Sequence, residues 1–288
     1  MRSFLITMQH NETRMLPIFL SHYARHFEAS NVFVVDHGSD TNLVPAGVNR
    51  LYLPRDRPFS EISRRNAISH FAAGLLEYYD YGVYADADEL VDLDRFDPGL
   101  LGQASALYVA GFNVFSAAHN GATRTYGVFD PVLCKPLIFS KVPRWGVGFH
   151  GCDVGPLGSL AVPMAHLKFA FPSTYAEIRA ARRTVHAQMN AEEKRYGIAS
   201  HWGAEGLYEA FARSSATILN SVAEVAGFSP LPTAGLFGVQ QGLHLARPTA
   251  PRFLVDLTDN FPSLLREPMP GPPAGGAALN AACDRGLQ

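Results

Sequence analysis

The chain has 288 residues, a net charge of −2 and 47% hydrophobic content, which is enough apolar material for one large domain or two small ones. This near-neutral balance lacks the basic excess by which a nucleic-acid-tracking surface declares itself, so the expected partners are small or neutral and not nucleic acid. Three cysteines, Cys134, Cys152 and Cys283, have no CxxC spacing, so neither a disulfide framework nor a zinc cage is indicated and a reducing, cytoplasmic setting is expected. The opening MRSFLITMQHNETR has too short an apolar run for a signal peptide, and no later stretch approaches the ~18 apolar residues of a membrane span.

Ser3 to Gln9 is an apolar, β-branched run ending in the polar HNET, which predicts a buried strand followed by a loop. From Arg14, apolar residues recur at Leu16, Leu20, Tyr23 and Phe27, the spacing of a helix, with Pro17 in the first turn where little bonding is lost. Val32 to Val35 is a second apolar strand stopping at Asp36, and Asn49 to Pro54 a third. Ser60 is placed to cap a helix with Ile68, Phe71, Leu75 and Tyr78 on one face, after which YGVYADADE returns to strand. This rhythm predicts a doubly wound, mainly parallel α/β sheet flanked by helices, with its site at the carboxyl ends of the strands.

Further on, Ala106 to Phe115, VLCKPLIFSK and Ala161 to Phe171 read as strands, the last carrying His166. Helices are expected at about Thr174 to Tyr196 and Ala204 to Ala226, and a mobile Pro/Gly/Ala-rich tail from Pro248. Residues 1–230 are expected to form a single domain with no sharp linker, its first half over about 1–95 and its second over about 96–230. Residues 231–288 follow as a C-terminal extension.

The most unusual stretch is YGVYADADELVDLD, residues 81–94, where an apolar strand runs into five carboxylates. In an extended chain, alternation would point Asp86 and Asp88 to one side and Glu89 away, leaving Glu89 to anchor the loop. Two carboxylates meeting at the end of a buried strand raise each other's pKa unless a cation sits between them. A hard divalent ion, Mg²⁺ or Mn²⁺, fits that need and keeps sites free for phosphate oxygens. The competing interpretation is a solvated acidic turn capping the next helix. Arg64, Arg65 and Asn66 open the second predicted helix, where a nucleotide phosphate or base contact is favoured. In the glycine-rich GVGFHGCD and the residues before it, His150 and Asp153 are candidate general bases, and Trp145 and Phe149 are candidates to stack on a ligand ring.

The order ITMQHNETRMLPIFLSHYARHF, NVFVVDHGSDTN, RRNAISHFAAGLLEYYDYGVYADADEL resembles the glycosyltransferase family 2 type of GT-A enzyme, in particular bacterial members with a KNE first loop, a DNGSTD second loop and a DADEF metal motif. CKPLIFSKVPRWGVGFHG and MAHLKFAF look like the lysine-to-histidine segment of the same enzymes. The sequence departs from that pattern where QHNE replaces KNE and where DHGSDT carries His37 and a shifted Asp40.

The resemblance implies a GT-A catalytic domain that transfers a sugar from a nucleotide diphosphate sugar, UDP-sugar favoured, to an acceptor hydroxyl with inversion. Asn11, Glu12 and Asp36 would hold base and ribose. Asp88 would bind the metal directly, Asp86 its water shell or the ribose, and His166 would be a third ligand. His150, Asp153 and Glu89 compete as the group that takes the acceptor's proton. A glycan, a lipid-linked molecule or a small molecule would be the acceptor, as in cell-surface polysaccharide assembly, with peripheral membrane contact. The alternatives are a non-catalytic nucleotide-sugar or glycan-binding protein and, further off, a sugar nucleotidyltransferase. That last enzyme would show a glycine-rich basic loop where MQHNETR has no glycine.

Overall fold

The computed structural model describes residues 1–157, 160–196, 198, 207–231, 236–240, 242–246, 252–262 and 264. β1 (Ser3–Gln9) leads to α1 (Met15–Tyr23), β2 (Val32–His37), β3 (Asn49–Leu53), α2 (Glu61–Leu76), β4 (Tyr81–Tyr84) and the short β5 (Glu89–Val91). Then come β6 (Ala106–His119), β7 (Ala122–Phe129), β8 (Lys135–Phe139), β9 (Gly151–Cys152), β10 (Pro156–Leu157) and β11 (Pro163–His166). Helices α3 (Pro172–Ala187), α4 (Ala191–Arg195) and α5 (Leu207–Asn220) precede β12 (Phe237–Gln240), β13 (Leu243–Ala246) and β14 (Leu254–Asp256).

The fold is α/β. Among the described residues, eleven strands form one mixed sheet along the path β14-β7-β6-β8-β4-β1-β2-β3, with β5, β10 and β11 branching from it. The run β3-β2-β1-β4 is parallel, while β8, β7 and β14 enter antiparallel. The β1-to-β2 and β3-to-β4 crossovers run in opposite directions across the sheet, and the right-handed rule therefore puts α1 and α2 on opposite faces. On one face Phe71 of α2 packs edge-on against Phe33 of β2. On the other, Tyr23 of α1 donates its hydroxyl to the Glu89 carbonyl at 3.3 Å and accepts the Val91 N–H at 2.8 Å, fixing β5. Val91 also presents its carbonyl to His22 Nε2 at 2.9 Å.

Ser60 caps α2 as expected, its Oγ accepting the Ser63 N–H at 3.0 Å. Other expectations need correction. Tyr78 lies past the end of α2 and is 70% exposed, so it is not part of the helix's packed face. The helix expected at Thr174 to Tyr196 is two helices, because Phe59 and Met189 form an isolated bridge at the break between α3 and α4. The strand begun at Ala106 runs on to His119 and turns back as β7, through Asn120 and Gly121 at φ 49° and 78°. Asn-Gly is the pair that such a tight hairpin turn requires. Part of the region expected to be a mobile tail is β14, which pairs with β7 at the sheet edge. Residues 248–251, 263 and 265–288 of that region lie outside the described residues, as do residues 204–206 of the last expected helix. Among the described residues no helix is long and apolar enough to cross a membrane, and Cys134 and Cys152 are buried free thiols.

Candidate functional site

Strand order reverses around β1, which has β2 on one side and β4 on the other. The crevice beyond the carboxyl ends of β1 and β4 is therefore the switch point at which open α/β sheets bind ligands. β4 feeds Asp86 into it. β8 runs antiparallel to β4, so its first residue, Lys135, arrives at the same edge. β11 pairs antiparallel with β5 and parallel with β6, which sets His166 opposite both Glu89 and Asn113. Register alone thus gathers Asp86, Asp88, Glu89, Lys135 and His166.

The chain is not extended through Asp86–Asp88. Residues 87 and 88 form a turn closed by the Glu89 N–H on the Asp86 carbonyl at 2.8 Å, so the expected alternation does not apply and the two aspartates take different partners. Asp86 Oδ1 accepts from Tyr84 at 2.6 Å and from Arg64 Nη1 at 2.8 Å, while Oδ2 lies 3.3 Å from Lys135 Nζ. Burial alone would raise this carboxyl, but Arg64 and Lys135 outweigh it and hold it well below the usual range. Asp88 Oδ2 accepts from Arg182 Nη2 at 2.8 Å and lies 3.5 Å from His166 Nε2. There too burial is outweighed, by the His166 ring and Arg182, and the carboxyl is held low.

Glu89 is 1% exposed and points into the cluster, contrary to the alternation argument. It receives Lys135 Nζ at 2.5 Å and the Asp86 N–H at 3.2 Å. Its anchoring role is therefore found, whereas a role as proton acceptor conflicts with its burial under Lys135.

The donor set tests the metal expectation. His166 Nδ1 is 3.0 Å from Asn113 Oδ1, where it donates, and Nε2 faces Asp88. A metal-ligating histidine is commonly held by such an outer partner. Asp88 and His166 would be two ligands for a divalent ion of the kind that keeps sites for water and phosphate, although Asp88 Oδ2 already accepts from Arg182. Asp86 turns its carboxylate to Arg64 and Lys135 while Asp88 meets His166 and Arg182, so the three expected ligands share one cluster without converging on one point. Among the described residues no group of three or more His, Cys, Asp or Glu side chains is arranged to hold a metal ion.

On the β1 side, Asn11 adopts φ 56° and stitches the first two loops together, exchanging side-chain bonds with Asp40 at 2.9 and 3.0 Å. Glu12 lies beside Asp88, and burial followed by that neighbouring charge pushes its carboxyl up to about 7. Asp36, expected to contact base or ribose, is fully buried, with Arg50 Nη2 at 2.6 Å and Nε at 2.8 Å on Oδ2 and the Ser39 N–H on Oδ1. Its hydrogen-bonding capacity is consumed within the protein, which corrects that expectation. The same loops gather His10, His37, Arg55 and Phe59 instead. The Arg55 guanidinium lies 5.4 Å above the Phe59 ring and the His37 ring 6.1 Å from it. His10 Nδ1 and Arg55 Nη2 are buried without a hydrogen-bond partner among the described residues.

Several other candidates fall elsewhere. Arg64 reaches the cluster, but Arg65 bonds its neighbour Asn66 at 3.0 and 3.2 Å, and neither makes a described contact with the carboxylates. Asp153 is tied to Arg144 through its N–H at 2.8 Å and Nε at 2.6 Å, an exposed pair. Burial opposes the charge, but the hydrogen bonds and charge of Arg144 together outweigh it and hold the Asp153 carboxyl low, which suits an ion pair better than a base. His150 is pushed down to about 3 by burial and then by Lys135, so it is neutral and weakly basic at neutral pH. Trp145 and Phe149 are core residues. Trp145 donates Nε1–H to the Pro136 carbonyl at 3.0 Å, and Phe149 stacks on Tyr84 at 4.1 Å, so neither offers a face to a sugar.

Sequence reasoning missed Lys135, Arg182 and Glu193. Lys135 had a signal, a lone charge inside an apolar strand. Arg182 and Glu193 had none, since a charged residue on a polar helix face reads as solvated. Glu193 takes the first turn of α2 in its carboxylate, receiving Ser60 Oγ at 2.5 Å, the Glu61 N–H at 2.9 Å and the Ile62 N–H at 3.2 Å. That occupies the helix amino end that an anionic ligand would otherwise seek.

Compared with known proteins, the chain matches no family model and no curated sequence.

Proposed function

We propose that this chain is a divalent-metal-dependent glycosyltransferase of the GT-A type, moving a sugar from a nucleotide diphosphate sugar, UDP-sugar favoured, to an acceptor hydroxyl. The observation that carries this reading is the Asp86–Asp88 turn at the carboxyl end of β4, with His166 3.5 Å from Asp88 and a ring of Arg64, Lys135 and Arg182 around it. Asp88 and His166 would hold Mn²⁺ or Mg²⁺, which supplies charge stabilisation to the departing diphosphate, typically worth several kcal/mol. The chain's own residues do the rest. Lys135 and Arg64 fix Asp86 at the crevice edge, and the Asn11–Asp40 stitch holds the two loops that frame the nucleotide. The unpaired His10 Nδ1 and Arg55 Nη2 are the polar atoms assigned to base and ribose in this reading. Inversion at the sugar and the glycan or lipid-linked acceptor follow from the resemblance to family 2 enzymes.

One observation favours a second reading, a non-catalytic nucleotide-sugar or glycan-binding protein. Each residue first considered as a base is buried under Lys135, ion-paired with Arg144 or, in His150, weakly basic.

Turnover separates the two. Release of UDP from a panel of UDP-sugars with Mn²⁺ and mixed sugar acceptors, abolished by EDTA and by Asp88→Asn, is the expected result. Metal-dependent UDP binding without any release above the Asp88→Asn background would move the protein to the second reading.

A further inference from the structure

Arg182 stands where the ion must enter. Its Nη2 is 2.8 Å from Asp88 Oδ2, the same oxygen that His166 Nε2 approaches at 3.5 Å. A guanidinium is a permanent cation, so no accessible pH removes it from that carboxylate. A divalent ion taken up by Asp88 and His166 would meet it at close range, and like charges in a partly buried site repel strongly.

The backbone that carries Arg182 is fastened. Beyond the end of α3, the Gln188 carbonyl accepts the Phe59 N–H at 3.0 Å, the Asn190 N–H donates to the Phe59 carbonyl at 2.8 Å, and Glu193 grips the first turn of α2. The Arg182 side chain is 25% exposed and reaches the carboxylate from α3, so the side chain has room to move while the helix stays. Lys168, just after β11, interacts electrostatically with both Arg182 and Asp88. With the ion on Asp88, two protein cations would face the crevice and call for a ligand carrying more than one negative charge.

We propose that Arg182 is an exchangeable counter-ion. It neutralises Asp88 in the metal-free protein, yields that oxygen to the divalent ion, and then binds phosphate oxygens of a nucleoside diphosphate. This rests on the metal reading above and assigns a diphosphate contact to a residue of α3, outside the β1 and β4 loops.

The experiment is Mn²⁺ binding without nucleotide, followed through the resonance of the free ion, and then UDP binding at saturating Mn²⁺. Wild type, Arg182→Gln, Arg182→Lys and Asp88→Asn are compared, each checked for folding by circular dichroism. Arg182→Gln is expected to bind Mn²⁺ about tenfold more tightly than wild type and UDP about tenfold more weakly, a coupling of ordinary size between adjacent sites. Arg182→Lys, which keeps the charge, should lie between them. Equal or weaker Mn²⁺ binding by Arg182→Gln, with wild-type binding still abolished in Asp88→Asn, would overturn the counter-ion role and leave the metal reading standing. Unchanged UDP affinity in Arg182→Gln would overturn the phosphate contact. Mn²⁺ binding by none of the proteins, or binding indifferent to Asp88, would overturn both the inference and the metal reading.

Discussion

Lys135 donates to Glu89 at 2.5 Å and lies 3.3 Å from Asp86, so a single ammonium on β8 serves two carboxylates of the turn after β4. Burial opposes the charge on Lys135, yet Glu89 and Asp86 outweigh it and raise its pKa above the usual lysine range. Removing one partner of such a buried pair leaves the other charge unpaired, whereas replacing both with neutral groups costs far less. Lys135→Met is therefore expected to destabilise the protein by about 3–5 kcal/mol, with most of the loss recovered in Lys135→Met combined with Glu89→Gln. Urea unfolding of the two variants checks this, and equal losses would mean that the pair is not coupled.

Glu193 ties the α3–α4 corner to the helix that carries Arg64. Glu193→Gln weakens three charge-assisted hydrogen bonds to the first turn of α2, for an expected loss of about 1–3 kcal/mol. Amide exchange at Glu61 and Ile62 should accelerate more than exchange in the middle of α2. Uniform acceleration along the helix would indicate a general loss of stability and no local cap.

His22 is buried against the Val91 carbonyl, and burial pushes it down from 6.5 to about 4. Between those values the unfolded chain binds a proton that the folded chain refuses, so stability is fully present above 6.5 and is lost as pH falls toward about 4. The expected slope is about 1.4 kcal/mol per pH unit for each such histidine. His150, pushed down to about 3, adds to the slope in the same direction. Unfolding curves collected from pH 7 to pH 4.5 should show His22→Gln with a shallower fall than wild type. Parallel curves would mean that His22 titrates normally.

Gly111 of β6 passes so close to the turn before β8 that a Cβ would lie 2.4 Å from the Leu133 carbonyl carbon and oxygen. Backbone cannot yield as a side-chain tip does, so Gly111→Ala is expected to cost about 1–3 kcal/mol, the usual range for overpacking. The same shift would move Lys135, two residues on, and should weaken UDP binding together with stability. Thermal unfolding and UDP titration of this one variant test the linkage.

The parallel half of the sheet was legible in the sequence because each element carries its own periodicity. Ser3 to Gln9 is a mostly apolar, β-branched run and Val32 to Val35 an uninterrupted apolar one, and Ser60 announces the helix it caps. The antiparallel half was harder. β7 begins with exposed, polar residues and was signalled only by Asn120-Gly121, while β14 is three residues long within a region rich in proline and glycine. At the site, Asp86, Asp88 and His166 stood out because ionisable residues at the ends of apolar strands are unusual. Where their side chains point depends on the turn at 87–88 and on cations 22 to 94 residues away. No local pattern encodes such partners, so the engagement of Asp36 by Arg50 and of Asp88 by Arg182 emerges only from the fold.

The central claim is that the Asp86–Asp88 turn holds a nucleoside diphosphate through a divalent ion. Calorimetric titration of UDP into the protein with Mn²⁺, with EDTA and with the Asp88→Asn variant tests it most directly. Binding with a Kd of about micromolar order that needs both the metal and Asp88 is expected. UDP binding of equal strength in EDTA would contradict it.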